Sequence, residues 1–155
     1  MARRAEAVDR GGPGCLRRRG SQRHLALRLI VAADNTYFSD PVVKFGVGGV
    51  EYHVHTWELG ARRAKEMLFT ARKLTAAEAF DAGMVNRVVP LDELDTQTMD
   101  LAREIAQMDP WGLATAKRAV NQTLDIMGQQ AALQSAFDIH WHGHANACCA
   151  PDIRS

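Results

Sequence analysis

Several side chains in this 155-residue chain are of types that move protons or hold ligands. Asp40, directly before Pro41, is a carboxylate that either orders a turn or lies within reach of a proton to be transferred. Gly46, Gly48 and Gly49 permit close backbone approach to a ligand, and a helix beginning beyond them would offer free amides to an anion. Glu51 adds a second carboxylate beside that loop. His53 and His55 alternate, so they share a face only in extended backbone and diverge on a helix, which argues against a metal pair. His140 and His144 are four apart, a spacing that zinc uses on helices, with His142 between them. Only Asp138 lies close enough in sequence to orient them, and helical periodicity gives His140 the plainer role of an inward-facing residue. No metal site is expected.

Composition narrows the setting. The net charge of +1 conceals an asymmetry. Residues 1–28 hold eight arginines (Arg3, Arg4, Arg10, Arg17, Arg18, Arg19, Arg23 and Arg28) against Glu6 and Asp9, whereas the remainder holds eleven basic and sixteen acidic side chains. A junction near Arg28 follows. The glycines around Pro13 forbid a continuous helix there, so this segment reads as a disordered arm. It has no aromatic residue to stack on bases, which disfavours nucleic-acid binding. Nowhere is an apolar run long enough to cross a membrane as a helix. The three cysteines, Cys15, Cys148 and Cys149, are odd in number with two adjacent, a pattern of a reducing, cytoplasmic environment.

The elements that must position these groups are legible from periodicity. Leu29 to Ala33 reads as a buried strand, Asp34-Asn35 as a turn, and Thr36 to Phe38 as a second extended piece. Trp57, Ala61, Ala64 and Leu68 form one apolar stripe of an amphipathic helix, with Glu58 four residues before Arg62 on its other side. Thr75 and Glu78 form a capping box that starts a helix at Ala76, closed by Gly83. Val85, Val88 and Val89 then favour a strand stopped by Pro90. Asp92 is placed to cap a helix over 93–108, with Leu94, Thr98, Leu101, Ile105 and Met108 on one face. Asp109-Pro110 starts the next, with Leu113, Ala116, Val120, Leu124 and Met127 on its apolar side and Gly128 at its end. A third helix runs from Gln129 towards Ala145, with Leu133, Ala136, Phe137 and either His140 or Trp141 inward.

The run Leu68, Thr70, Lys73, Thr75, Ala76, Glu78, Ala79, Gly83, Met84, Val85, Val88, Val89 and Pro90 resembles the middle of the enoyl-CoA hydratase/isomerase (crotonase) superfamily. Ala71 stands where that family usually has glycine. The strand-turn-strand order from Leu29 resembles the family as well, but Leu27 and Arg28 replace its Cys-Asp pair, so the match is expected to stop at the arginine-rich arm. The resemblance implies an α/β protein: a truncated crotonase-like fold, short strands followed by a C-terminal three-helix region. It divides the chain into an arm over 1–28 foreign to the family, a core part over 29–90, a helical oligomerisation region over 91–146 and a tail over 147–155.

The same resemblance implies a substrate, an acyl-CoA thioester whose enolate oxygen two backbone amides stabilise, and no other cofactor. Hydratases of the family carry a glutamate after the proline of an F-x-x-P-E pattern. In Phe38-Ser39-Asp40-Pro41-Val42 that position is Val42, which leaves Asp40 and Glu51 as substitute carboxylates. Gly48 and Gly49 fall in the family's glycine-rich segment beside the acyl group. The two oxyanion amides and the other glutamate belong to family segments upstream of the resemblance. The expected function is therefore that of an enoyl-CoA hydratase-family protein of fatty acid β-oxidation, N-terminally truncated and catalytically impaired, with the isomerase branch also open. By family it would form trimers or hexamers. The alternatives are a non-catalytic assembly module for crotonase-like subunits and a basic-arm nucleic-acid binder. With its sheet neighbours missing, the 29–33 strand is expected to leave an apolar edge exposed.

Overall fold

The computed structural model describes residues 5–7, 29–48 and 53–149. Its sheet is centred on a strand that is buried along its whole length. In chain order, β1 is Ala5–Ala7, β2 is Ile30–Ala33 and β3 is Tyr37–Phe38. A 3₁₀ turn over Val42–Phe45 and helix α1, His55–Thr70, come next, then β4, Leu74–Thr75, helix α2, Ala76–Asp81, and β5, Arg87–Val89. A second 3₁₀ turn, Leu91–Glu93, leads into α3, Leu94–Ala106, α4, Pro110–Ile126, and α5, Gln129–Cys149.

Ile30 and Val31 favour extended backbone. Period-two alternation sends Ile30 and Ala32 into one apolar cluster and Val31 and Ala33 into another. The first cluster holds Phe38, Leu59, Met67, Leu74 and Met84, and the second is closed by Leu94 with Leu101 against it. Each large side chain so buried stabilises the fold by about 1.5–3 kcal/mol. β2 pairs antiparallel with β1, Ala5 opposite Ala32, and parallel with β5, Val31 opposite Arg87. Asn86 fixes that register, its amide donating to the Ile30 carbonyl at 2.9 Å and its Oδ1 accepting from the Ile30 amide at 2.7 Å. The open apolar edge expected of this strand therefore does not exist, because both flanks of β2 are paired. One partner comes from within the arm expected to lack structure; residues 1–4 and 8–28 lie outside the described residues, as does the tail beyond Cys149.

The parallel β2–β5 pair requires a crossover, and β3 to α2 supply it. β3 and β4 form a small antiparallel ladder, Tyr37 opposite Thr75. The capping box is present as read: Glu78 donates its amide to Thr75 Oγ1 at 3.3 Å, and the Thr75 amide donates to Glu78 Oε2 at 2.8 Å. The Thr75 amide, the Thr75 hydroxyl, which donates to the same Oε2 at 3.0 Å, and then the Arg72 guanidinium hold the Glu78 carboxyl below its ordinary range. Gly83 closes α2 at φ 81°.

Two helical readings are corrected. The buried positions of α1 are His55, Leu59, Ala64 and Met67, while Ala61 is exposed and Trp57 and Leu68 are half-buried. Gly60 has φ 73°, ψ 157° and kinks the helix, so the phase shifts between its two parts and Glu58 does not meet Arg62. Asp92 does not cap α3. A 3₁₀ turn, closed by the Glu93 amide donating to the Pro90 carbonyl at 3.0 Å, satisfies the entry without a side-chain cap. Asp109 does cap α4, accepting the Gly112 amide at 2.6 Å.

Candidate active site

Asp40 follows β3 and is held by the turn it opens. Its Oδ1 accepts the Val42 amide at 3.3 Å, the local bond expected of an aspartate before proline. Its Oδ2 faces the other way, 3.3 Å from His55 Nε2. His55 is the first residue of α1, and α1 packs against the 3₁₀ turn, so the helix start delivers the imidazole to the carboxylate. Both side chains are sealed, at 2% and 0% exposure. Burying two ionisable groups costs several kcal/mol per charge, and here Oδ2 and Nε2 stand within ion-pair distance without making a hydrogen bond among the described residues. His55 Nδ1 has no hydrogen-bond partner among the described residues.

His53 adjoins this pair. Its ring centroid lies 5.2 Å from that of His55, and its Nε2 is 3.3 Å from Thr56 Oγ1. Partial burial pushes the His53 imidazole below the ordinary histidine range. A charge on His55 pushes the same way, and Asp40 opposes both. The alternation argument, that these two rings meet only in extended backbone, is met at a boundary: His53 precedes the helix and His55 begins it.

Val42, at the position the resemblance assigns to a glutamate, lies half-buried in the 3₁₀ turn. Gly46 ends that turn at φ 73°. Gly48 faces α5, where a β-carbon built on it would stand 4.0 Å from Ile139 Cγ2. The approach is close because Gly143 of α5 has no side chain: a β-carbon there would stand 3.0 Å from the Gly48 nitrogen and 3.1 Å from Val47 Cα. Gly49 and Glu51 lie outside the described residues. On α5, His140 faces inward and Trp141 is 62% exposed, which decides between the two readings of that helix. His140 Nε2 and His144 Nε2 are 3.0 Å apart, but among the described residues no three His, Cys, Asp or Glu side chains converge as a metal site would require. Lys73, the basic residue of the family-like run, places its ammonium 4.0 Å above the Tyr37 ring.

Sequence reasoning weighed Asp40 alone and His55 only against His53. Their pairing depends on the crossover that folds α1 back onto the turn, and no local spacing encodes it.

A parallel strand pair with a helical crossover, a glycine loop closed by a late helix and a sealed carboxylate–imidazole pair define an α/β scaffold of the kind on which enzymes build sites. The sequence pattern of the enoyl-CoA hydratase/isomerase family matches residues 19–147, and the chain belongs to that family. The match takes in Arg23 and Arg28, so it does not stop at the arginine-rich boundary as expected. Over 119 residues the chain is 46% identical to a Mycobacterium tuberculosis protein assigned as the enoyl-CoA hydratase EchA13, covering 76% of this chain and 37% of that one. A solved enoyl-CoA hydratase structure from Mycobacterium thermoresistibile is 62% identical and superposes with a TM-score of 0.77, over 79% of this chain and 52% of the other. One from Mycobacterium smegmatis is 64% identical with a TM-score of 0.77, over 78% and 49%. The chain thus spans between about a third and a half of these relatives' lengths. No helix among the described residues is long and apolar enough to cross a membrane.

Proposed function

We propose that this chain takes part in hydration of 2,3-unsaturated acyl-CoA thioesters, in cytoplasmic fatty acid β-oxidation, as the C-terminal half of an enoyl-CoA hydratase unit. The family match over residues 19–147 carries this reading, and acyl-CoA is the substrate class that family membership brings with it. Gly48, and Gly49 beside it in sequence, are the loop positions that would border the acyl group. The absence of a carboxylate at Val42 supports reduced turnover, since a valine cannot accept or donate a proton where the family uses a glutamate. The unit would assemble into trimers or hexamers through its C-terminal helices, and the uncovered apolar side of α4 supports that.

The test is hydration of crotonyl-CoA, followed through loss of absorbance of the enoyl thioester band. The expected result is saturable binding of crotonyl-CoA with turnover more than tenfold below that of a full-length relative. Turnover within tenfold would overturn the impairment. Failure to bind any enoyl-CoA would overturn the substrate class itself.

A further inference from the structure

We propose that β1 is a displaceable strand lying over a docking edge of the sheet, and that the edge of β2 beneath it receives an extended apolar strand from the N-terminal half of a hydratase-family unit. This rests on the reading above that the chain acts as the C-terminal half of such a unit, and it names the surface through which the two halves join.

The family pattern matches residues 19–147, so Ala5–Ala7 lies outside it and one flank of β2 is covered by residues that the pattern does not contain. This chain covers 52% and 49% of the two solved mycobacterial relatives, and the resemblance places the uncovered family segments upstream. β2 itself has the character of a strand inside a parallel sheet, buried at every residue from Ile30 to Ala33. Burial on both faces is the mark of strands flanked by parallel neighbours. β5 is such a neighbour, whereas β1 runs antiparallel. Ala-Glu-Ala is also a poor strand sequence, because alanine and glutamate pack less well on a pleated surface than β-branched or aromatic residues.

The backbone bonds make the covering strand weak. The Ile30 carbonyl accepts the Asn86 amide and the Asp34 amide donates to the Val89 carbonyl, each at 2.9 Å, so the even-numbered residues of this segment turn their backbone groups to β5. Val31 turns its amide and carbonyl the other way, to β1, where Glu6 stands opposite. Residues facing each other in this way in an antiparallel ladder exchange both bonds, and the pairs on either side exchange none. Ala5 opposite Ala32 and Ala7 opposite Ile30 therefore add no bond. Among the described residues β1 is held by one reciprocal pair of backbone bonds, and it can open while β5 stays in place. A longer parallel strand would engage the Val31 amide and carbonyl and the Ala33 amide together, as in strand addition to a sheet edge.

Hydrogen exchange on the full chain tests the covering strand. After correction for intrinsic rates, the Val31 amide is expected to exchange about tenfold or more faster than the Ala32 amide, as opening of a small local unit requires. Glu6→Pro removes the amide that faces the Val31 carbonyl, and it should free Val31 while Ala32 and Asp34 keep their protection. A Val31 amide as slow as that of Ala32, or a Glu6→Pro chain that loses protection at Ala32 and Asp34, would overturn displacement, because β1 would then be integral to the fold. The docking edge is tested by co-expressing the full chain with the part of the Mycobacterium smegmatis relative that precedes its matched segment. A soluble complex is expected, with Val31 protected in it and with more complex recovered for Glu6→Pro than for the wild type. No complex with either chain, or a complex in which Val31 stays unprotected, would overturn the docking edge. A complex that neither binds nor hydrates crotonyl-CoA would overturn the hydratase reading and leave the docking edge standing.

Discussion

Ala71 has φ 50°, ψ 31° as the residue that ends α1, and it is the only non-glycine with positive φ among the described residues. An L side chain in that region costs about 1–2 kcal/mol because its β-carbon crowds the following carbonyl. Glycine escapes that cost but loses more backbone freedom on folding. Ala71→Gly is therefore expected to raise stability by about 0.5–1 kcal/mol, measured by urea unfolding. A decrease would mean that the turn before Arg72 holds its conformation without strain. The departure from glycine was visible in the sequence because the family-like run brackets it. The capping box was visible for a related reason: Thr75 and Glu78 satisfy each other within one turn, so spacing alone determines the contact. Asp40 and His55 were not visible as a pair, because their contact is made by the fold.

At the scale of elements, strands and the caps at Thr75 and Asp109, set by neighbouring residues, were legible, whereas the Asp92 cap was not found and phases that cross a glycine were misread. The 57–68 stripe presumes an unbroken helix, and Gly60 rotates the second part of α1 relative to the first. The strand read over 29–33 as buried is found over Ile30–Ala33, buried at every residue. Of its two neighbours, β5 was read as a strand and β1 could not be, because Ala5–Ala7 gives no periodic signal and pairs with β2 only in three dimensions. Gly143 supplies a test at this scale. It lets α5 approach the 46–48 loop so closely that a methyl group would meet backbone atoms of Val47 and Gly48. Gly143→Ala is expected to destabilise by about 1–3 kcal/mol, the usual cost of overpacking against backbone that must shift. Hydrogen exchange should quicken in α5 and the loop while β2 keeps its protection. Unchanged exchange in α5 would show that the helix does not depend on this contact.

At the scale of the molecule, the apolar side of α4 has no partner among the described residues. Leu113, Ala116, Val120, Leu124 and Met127 share one face at helical spacing, yet Val120 is 62% and Met127 60% exposed, and only Leu124 is half-buried. The two core clusters close around β2 without drawing on this face. A contiguous exposed apolar surface of this kind marks an interaction site more often than a solvated one, and a C2 or C3 assembly covers it by using the same helix from each copy. The wild-type chain is therefore expected to run as a multiple of its 17.1 kDa mass in light scattering at micromolar concentration. A double substitution, Val120→Glu with Met127→Glu, places two carboxylates on that face without touching either core cluster. It should shift the mass towards the monomer while circular dichroism and the melting of β2 stay as they were. A wild-type chain that is monomeric over the same concentrations, or a double variant whose mass is unchanged, would remove α4 as the assembly surface.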